Sequence, residues 1–192
     1  MEKRFRHENM HRLDSGKRRA LVPPEAVLDL MGLRPGVTLL DVGAGIGYFA
    51  IPAAARLGEG GNVIAADISR EMLDELTRRT RAAGVEVKTV LCGADSVLLA
   101  DASADMILLA FVLHEVDDQT AYLREMGRLL KGSGALTIVE WDTVESPMGP
   151  PLTERIGRPE LGRLLDAAGF AAVKDARVNE YMYACIVGKK RL

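Results

Sequence analysis

The chain has 192 residues, 48% of them hydrophobic, 27% charged and 5% aromatic, a globular composition that excludes disordered, collagen-like and disulfide-rich classes. Its 25 Lys and Arg against 27 Asp and Glu leave a net charge of −2, too little positive field to hold a phosphate backbone, so no nucleic-acid partner is expected. The length suits one compact domain, read here as residues 23–192 behind an N-terminal arm or lid over 1–22.

The arm carries Lys3, Arg4, Arg6 and Arg12 with no apolar segment behind them, which is not the pattern of a secretory signal. His7 and His11 lie on it, as a solvated tail or as part of a lid. Pro23 and Pro24 open a helix running to Met31 and closed by Gly32, since proline suits a first helical turn and glycine a helix end. Residues 37–42 form a continuous apolar run of buried-strand type that leads into a glycine loop. A helix over 48–57 tolerates Pro52 only in its first turn. The segment 62–67, NVIAAD, is the second strand.

Ser69 is a good N-cap for the next helix, with Glu71 and Asp74 near its positive end, a stripe of Met72, Leu73, Leu76 and Ala83, and Gly84 as stop. Strands follow at 85–91 and 105–111, then a helix over 118–130 whose Tyr122, Leu123, Met126, Leu129 and Leu130 share a face, ended by Gly132. The fifth strand is placed at 135–141. Residues 142–157 include Pro147, Pro150 and Pro151 and read as an extended loop over the strand ends. A helix over 159–168 ends at Gly169, and the runs 171–178 and 181–187, joined at Asn179-Glu180, form a closing hairpin. Alternating units of this kind predict an α/β fold with a doubly wound, mostly parallel seven-stranded sheet and a C-terminal antiparallel hairpin at one edge.

The longest apolar run, 106–113, has eight residues, against about 20 for a membrane-spanning helix; no membrane span is expected. Cys92 and Cys185 stand far apart without a Cys/His cluster, which points away from a disulfide framework or a metal site and towards the cytoplasm. The basic runs Lys17-Arg18-Arg19 and Lys189-Lys190-Arg191 read as solubilising surface.

The chemistry concentrates in Leu39-Leu40-Asp41-Val42-Gly43-Ala44-Gly45-Ile46-Gly47. Glycines allow a tight turn and close ligand approach, and the following helix start offers unpaired N–H groups at the sheet edge where open α/β folds bind ligands. A dinucleotide fingerprint would read G-x-G-x-x-G, but here Tyr48 occupies the place of the third glycine. Asp41 would repel a pyrophosphate, while it can meet a cationic α-amino group.

These residues resemble the first motif of the class I S-adenosylmethionine-dependent methyltransferases, an acidic residue followed by G-x-G-x-G. Asp67 matches the family's second signature, the carboxylate that holds the ribose hydroxyls, with Ile68 packing on the adenine. Further matches are Asp101 to Asp105, His114-Glu115, and Leu130-Lys131-Gly132-Ser133-Gly134. The segments AFVLHEV and LLDAAGF resemble the ubiquinone and menaquinone biosynthesis methyltransferases and their small relatives. One departure is Gly93, where relatives carry an Asp, Asn or Glu for the adenine amino group; either Asp95 supplies that contact or the backbone of Gly93 and Ala94 does.

The resemblance implies S-adenosylmethionine as cofactor and a small-molecule acceptor, with oxygen or carbon nucleophiles favoured. Strand four is followed by FVLHE rather than an Asn/Asp-Pro-Pro-aromatic motif, which argues against amino methylation of bases or glutamine. His114 is the candidate catalytic base, and Trp141 and Asp142 are candidates for the acceptor side. The competing readings are an NAD-dependent oxidoreductase and a non-catalytic cofactor-binding or partner-binding protein.

Overall fold

A computed structural model describes residues 14–190; His7 and His11 lie outside them. Seven strands form a single sheet in the order β3-β2-β1-β4-β5-β7-β6. Strands β1 (Thr38–Val42), β2 (Asn62–Asp67), β3 (Lys88–Leu91), β4 (Ala104–Ala110) and β5 (Leu130–Trp141) run parallel. The closing hairpin is β6 (Phe170–Arg177) and β7 (Met182–Lys189), with β7 inserted antiparallel between β5 and β6. The chain order reverses between β1 and β4, and a crevice at such a switch point is where open α/β sheets bind ligands.

Strand alternation divides the core between two faces. Leu39 of β1 and Met106 and Leu108 of β4 pack against α2 (Pro24–Leu30) and α3 (Ala50–Leu57), with Leu76 of α4 (Arg70–Ala83) joining them. Leu40, Val42, Ile107 and Leu109 face the other way, onto α5 (Gln119–Leu129) and α6 (Arg158–Ala167). The helix starts follow the expected chemistry. Ser69 caps α4 by accepting from Met72 N–H at 3.2 Å, and Asp118 caps α5 by accepting from Ala121 N–H at 2.9 Å.

Several boundaries differ from the sequence reading. The third strand starts at Lys88 rather than at residue 85, because Gly84 takes a left-handed cap and Val85 N–H still bonds Thr80 O at the helix end. The helix expected to run to Leu130 and stop at Gly132 ends at Leu129, and β5 begins at once. A Cβ on Gly134 would lie 2.7 Å from Asp105 O, so that glycine lets two strand backbones approach rather than forming a loop. The third helix starts at Ala50 rather than at Tyr48, which leaves Pro52 in its first turn as expected. The arm also contains an unexpected short helix, α1 (Gly16–Leu21), capped by the Ser15 hydroxyl.

Candidate active site

The glycine loop leaves β1 with Gly43, Gly45 and Gly47 all at positive φ, +72°, +53° and +87°, values that only glycine adopts without strain. A Cβ on Gly43 would meet Val112 Cγ2 at 2.3 Å. The turn is tied to the neighbouring strand by Gly43 and Ala44 N–H donating to Ala66 O at 2.8 and 3.1 Å.

Asp41 stands beneath this loop, 1% exposed, and its Oδ2 has no hydrogen-bond partner. Burial pushes its carboxyl up to about 7, helped by the charge of Asp67, while a bond from Ala50 N–H and the charge of Arg18 work against the shift. An orphaned carboxylate oxygen beside a glycine turn fits a ligand that brings a cationic N–H donor.

Asp67 ends β2 one strand away. Its Oδ2 accepts from Gly45 N–H at 2.8 Å and its Oδ1 from Ser69 N–H at 2.9 Å. Burial raises its carboxyl while these bonds and one from Ile68 N–H lower it. Each oxygen keeps acceptor capacity for a hydroxyl. Next to it Ile68 is 44% exposed, an apolar side chain left uncovered at the crevice. Gly93 and Ala94 lie past the end of β3, where Gly93 N–H is already committed to Ser96 O at 2.9 Å. Asp95 is exposed, and its charge, with those of Asp67 and Cys92, raises the buried Tyr122 hydroxyl further after burial itself.

The other side of the crevice is made by β4, β5 and the proline-rich loop. Phe111 follows β4 at φ +60°, an outlier for a bulky residue, and its ring lies 5.7 Å from Trp141. His114 sits in the 3₁₀ turn Leu113–Glu115. Its Nδ1 lies 2.8 Å from Oε2 of Glu140 on β5, which is fully buried.

Arg155 organises the loop beyond Trp141. Its guanidinium donates to the carbonyls of Pro150, Asp142 and Val144 and to Ser146 Oγ, and lies 5.3 Å from the Trp141 ring. Gly149, at φ +107°, passes so close to Trp141 that a Cβ would meet the indole at 2.8 Å.

Arg18 of α1 joins the two sides, 4.3 Å above the Tyr48 ring and 5.6 Å from that of Phe111. Burial lowers its pKa, against the opposing pull of Tyr48, Asp14 and Asp41. The arm is fastened by Asp14, which pairs with Arg19 at 2.6 Å and Arg79 at 2.8 Å. Tyr48 itself is buried and donates its hydroxyl to Val22 O at 2.9 Å, so it is a clasp for the arm. Among the described residues no group of His, Cys, Asp and Glu is placed to hold a metal ion, and no helix is long and apolar enough to cross a membrane.

The profile of the methyltransferase domain family matches residues 40–138, just over half of the chain. A solved S-adenosylmethionine-dependent methyltransferase from Aquifex aeolicus is 30% identical, with a TM-score of 0.91 over 96% of this chain and 98% of that one. The chain belongs to the S-adenosylmethionine-dependent methyltransferases. S-adenosylmethionine is the cofactor of this family.

A second solved methyltransferase, the Burkholderia thailandensis 1,6-didemethyltoxoflavin-N1-methyltransferase with bound 1,6-didemethyltoxoflavin and S-adenosylhomocysteine, is 25% identical. Its TM-score is 0.74, over 96% of this chain and 85% of that one. The ubiquinone/menaquinone biosynthesis C-methyltransferase of Xanthomonas campestris pv. campestris is 34% identical over 139 residues, 69% of this chain and 54% of that relative. The chain therefore spans about half the length of that relative.

Three groups beside this crevice were not singled out as functional by sequence reasoning. Glu140 had a visible signal, an acid inside the apolar run Thr137-Ile138-Val139-Glu140-Trp141, since a carboxylate in a buried strand demands a partner. Arg18 belongs to the basic run expected to be solubilising surface, yet it is half-buried against Tyr48 and Phe111 because α1 turns it inward; Arg155 had no signal, because its contacts are made only in the folded chain.

Proposed function

We propose that this chain transfers a methyl group from S-adenosylmethionine to an oxygen or an acidic carbon of a small-molecule acceptor. The observation that carries the reading is the buried, unpartnered Oδ2 of Asp41 under three positive-φ glycines, a seat for the cofactor's α-ammonium group. When bound, S-adenosylmethionine supplies an electrophilic methyl group on a sulfonium. The work left to the protein is to orient it, align the nucleophile and exclude water.

In this reading Asp67 accepts the ribose hydroxyls with the capacity that Gly45 and Ser69 leave free. Ile68 packs on the adenine, and the adenine amino group is met by exposed Asp95 or by the backbone of Gly93 and Ala94. Arg18, beside Asp41, faces the cofactor's carboxylate, and the clasped arm from Asp14 to Val22 acts as its lid. His114, Trp141 and the Arg155-braced loop belong to the acceptor side.

The test is a calorimetric titration of S-adenosylmethionine and S-adenosylhomocysteine, with NAD and NADP as controls, followed by an acceptor screen. Quinone precursors come first in the screen because the Xanthomonas campestris relative carries that name. Selective binding of the two sulfur compounds and methylation of an oxygen or carbon acceptor support the reading. Binding of NAD overturns it in favour of an oxidoreductase, and binding without turnover of any acceptor favours a non-catalytic protein.

A further inference from the structure

Glu140 is the most deeply buried carboxylate beside the crevice, with no exposed surface. Among the described residues its ion-pair partner is His114. Its Oε1 accepts His114 N–H at 3.3 Å, and its Oε2 accepts Trp141 N–H at 3.3 Å and faces His114 Nδ1 at 2.8 Å. An ionised carboxylate only accepts hydrogen bonds, so the proton of the neutral imidazole sits on Nδ1 and the lone pair on Nε2. Glu115 Oε1 is 4.0 Å from Nε2, beyond hydrogen-bond range.

Two features bring this pair together. Phe111 N–H bonds Val139 O at 2.8 Å, keeping the end of β4 in register with β5. The left-handed turn at Phe111 then precedes the 3₁₀ turn that carries His114 to Glu140. A strained bulky residue beside a ligand crevice is the kind of conformation that persists where surrounding contacts enforce it.

We propose that Glu140 is a positioning residue for His114, holding Nδ1–H so that Nε2 takes a proton from the acceptor. The inference rests on the methyltransferase reading and narrows the acceptor to a compound with an ionisable O–H or an acidic C–H. The proton passes to Nε2, and the electron pair of the broken bond stays on the acceptor oxygen or carbon as the nucleophile. The imidazolium is balanced by the Glu140 carboxylate, and its proton leaves to water at the end of the cycle. His114 is then the catalytic residue and Glu140 acts only through it.

The charges around the ring agree with this role. Burial pulls the His114 pKa down, but the hydrogen bond and charge of Glu140 from β5, Glu115 from its own turn and Glu154 from the turn Leu152–Glu154 together hold it above its ordinary value. Glu140 therefore makes the ring a stronger base as well as orienting it.

The chain has three histidines, so a background with His7→Gln and His11→Gln leaves one imidazole to observe by ¹⁵N NMR. The neutral ring is expected as the Nδ1–H tautomer, with a titration midpoint above about 6.5. In Glu140→Gln the midpoint is expected to fall by about one pH unit or more and the tautomer preference to weaken, with S-adenosylmethionine affinity within about twofold of wild type. Diethyl pyrocarbonate is expected to acylate Nε2, and bound S-adenosylhomocysteine to slow it. An Nε2–H tautomer, an unshifted midpoint in Glu140→Gln, or an unreactive ring overturns the pairing.

Should Glu140→Gln fail to fold, the wild-type tautomer and acylation measurements decide alone. Titration of S-adenosylmethionine into the same samples separates the two failures. Loss of cofactor binding in wild type defeats the methyltransferase reading, whereas normal binding with the wrong tautomer defeats only the role of Glu140.

Discussion

Between Asp41 and Asp67 the crevice is lined largely by backbone, whereas between Phe111 and Arg155 it is lined by side chains brought from distant parts of the chain. The first side consists of three glycines at positive φ, N–H groups bonded to Ala66 O and Asp67, and two carboxylates ending adjacent strands. The second depends on His114 meeting Glu140, Phe111 meeting Trp141, and Arg155 tying four positions of one loop to the ring of Trp141. A backbone-built site suits a constant ligand, because its geometry survives changes in most side chains. A side-chain-built site suits a ligand that differs among relatives, since each contact is set by one residue.

The comparison breaks most visibly at Gly43. Gly43→Ala forces a Cβ to 2.3 Å from Val112 Cγ2 at a φ of +72°. A loss of stability of about 2–4 kcal/mol is expected, together with loss of S-adenosylmethionine binding, as read by denaturant unfolding and calorimetry. An alanine variant with wild-type affinity would show that the turn is not the cofactor's seat.

Asp67→Asn follows. Exchanging a charged acceptor for a neutral amide is expected to weaken cofactor binding by about 1.5–3 kcal/mol, roughly ten- to a hundredfold. Acceptor-side chemistry, read by the titration of His114, is expected to stay unchanged. Movement of both readouts would show that the two sides are not separable.

Asp41 gives a pH signature. Its carboxyl is raised to about 7, chiefly by burial, while the unfolded chain loses the same proton near 3.8. Between those values the folded state holds more protons than the unfolded one, so the free protein loses stability as pH rises from about 4 to about 7. Asp41→Asn is expected to remove that slope, on the order of 1–3 kcal/mol, in melts across this range. In wild type, S-adenosylmethionine affinity is expected to fall as pH drops below about 7, because the carboxylate proposed to meet the ammonium group becomes neutral. A pH-independent affinity would take Asp41 out of the contact.

The smallest effect belongs to the loop. Arg155→Lys keeps the charge but loses the planar set of donors, and a cost of about 1 kcal/mol is expected with faster proteolysis within 142–157 and unchanged cofactor affinity. A large loss of cofactor binding would show that the loop braces both sides.

The same contrast explains what the sequence made legible. The order of strands and helices followed from apolar runs and caps such as Ser69 and Asp118, whose effects are local. Asp41, Gly43, Gly45, Gly47, Asp67 and Ile68 stand out as one candidate set because one loop and one strand end carry them, and the fold ties that loop to Asp67. The start of β5 was not, because Lys131-Gly132-Ser133-Gly134 looks like a turn until Gly134 is seen to admit the backbone of Asp105. Glu140 is an acid inside an apolar strand whose partner His114 lies past another strand end, and Arg18 sits in a basic run that reads as solubilising surface until α1 places it over Tyr48. Local chemistry can be read along the chain, and contacts between segments need the fold.

The most direct test of the account is calorimetric titration of S-adenosylmethionine into wild type and Asp67→Asn, with thermal melts to show that both are folded. One-site binding to wild type, no binding of NAD, and at least about tenfold weaker binding to Asp67→Asn are predicted. NAD binding in place of S-adenosylmethionine, or equal affinity in a folded Asp67→Asn, would contradict the assignment of the Asp41–Asp67 side as the cofactor seat.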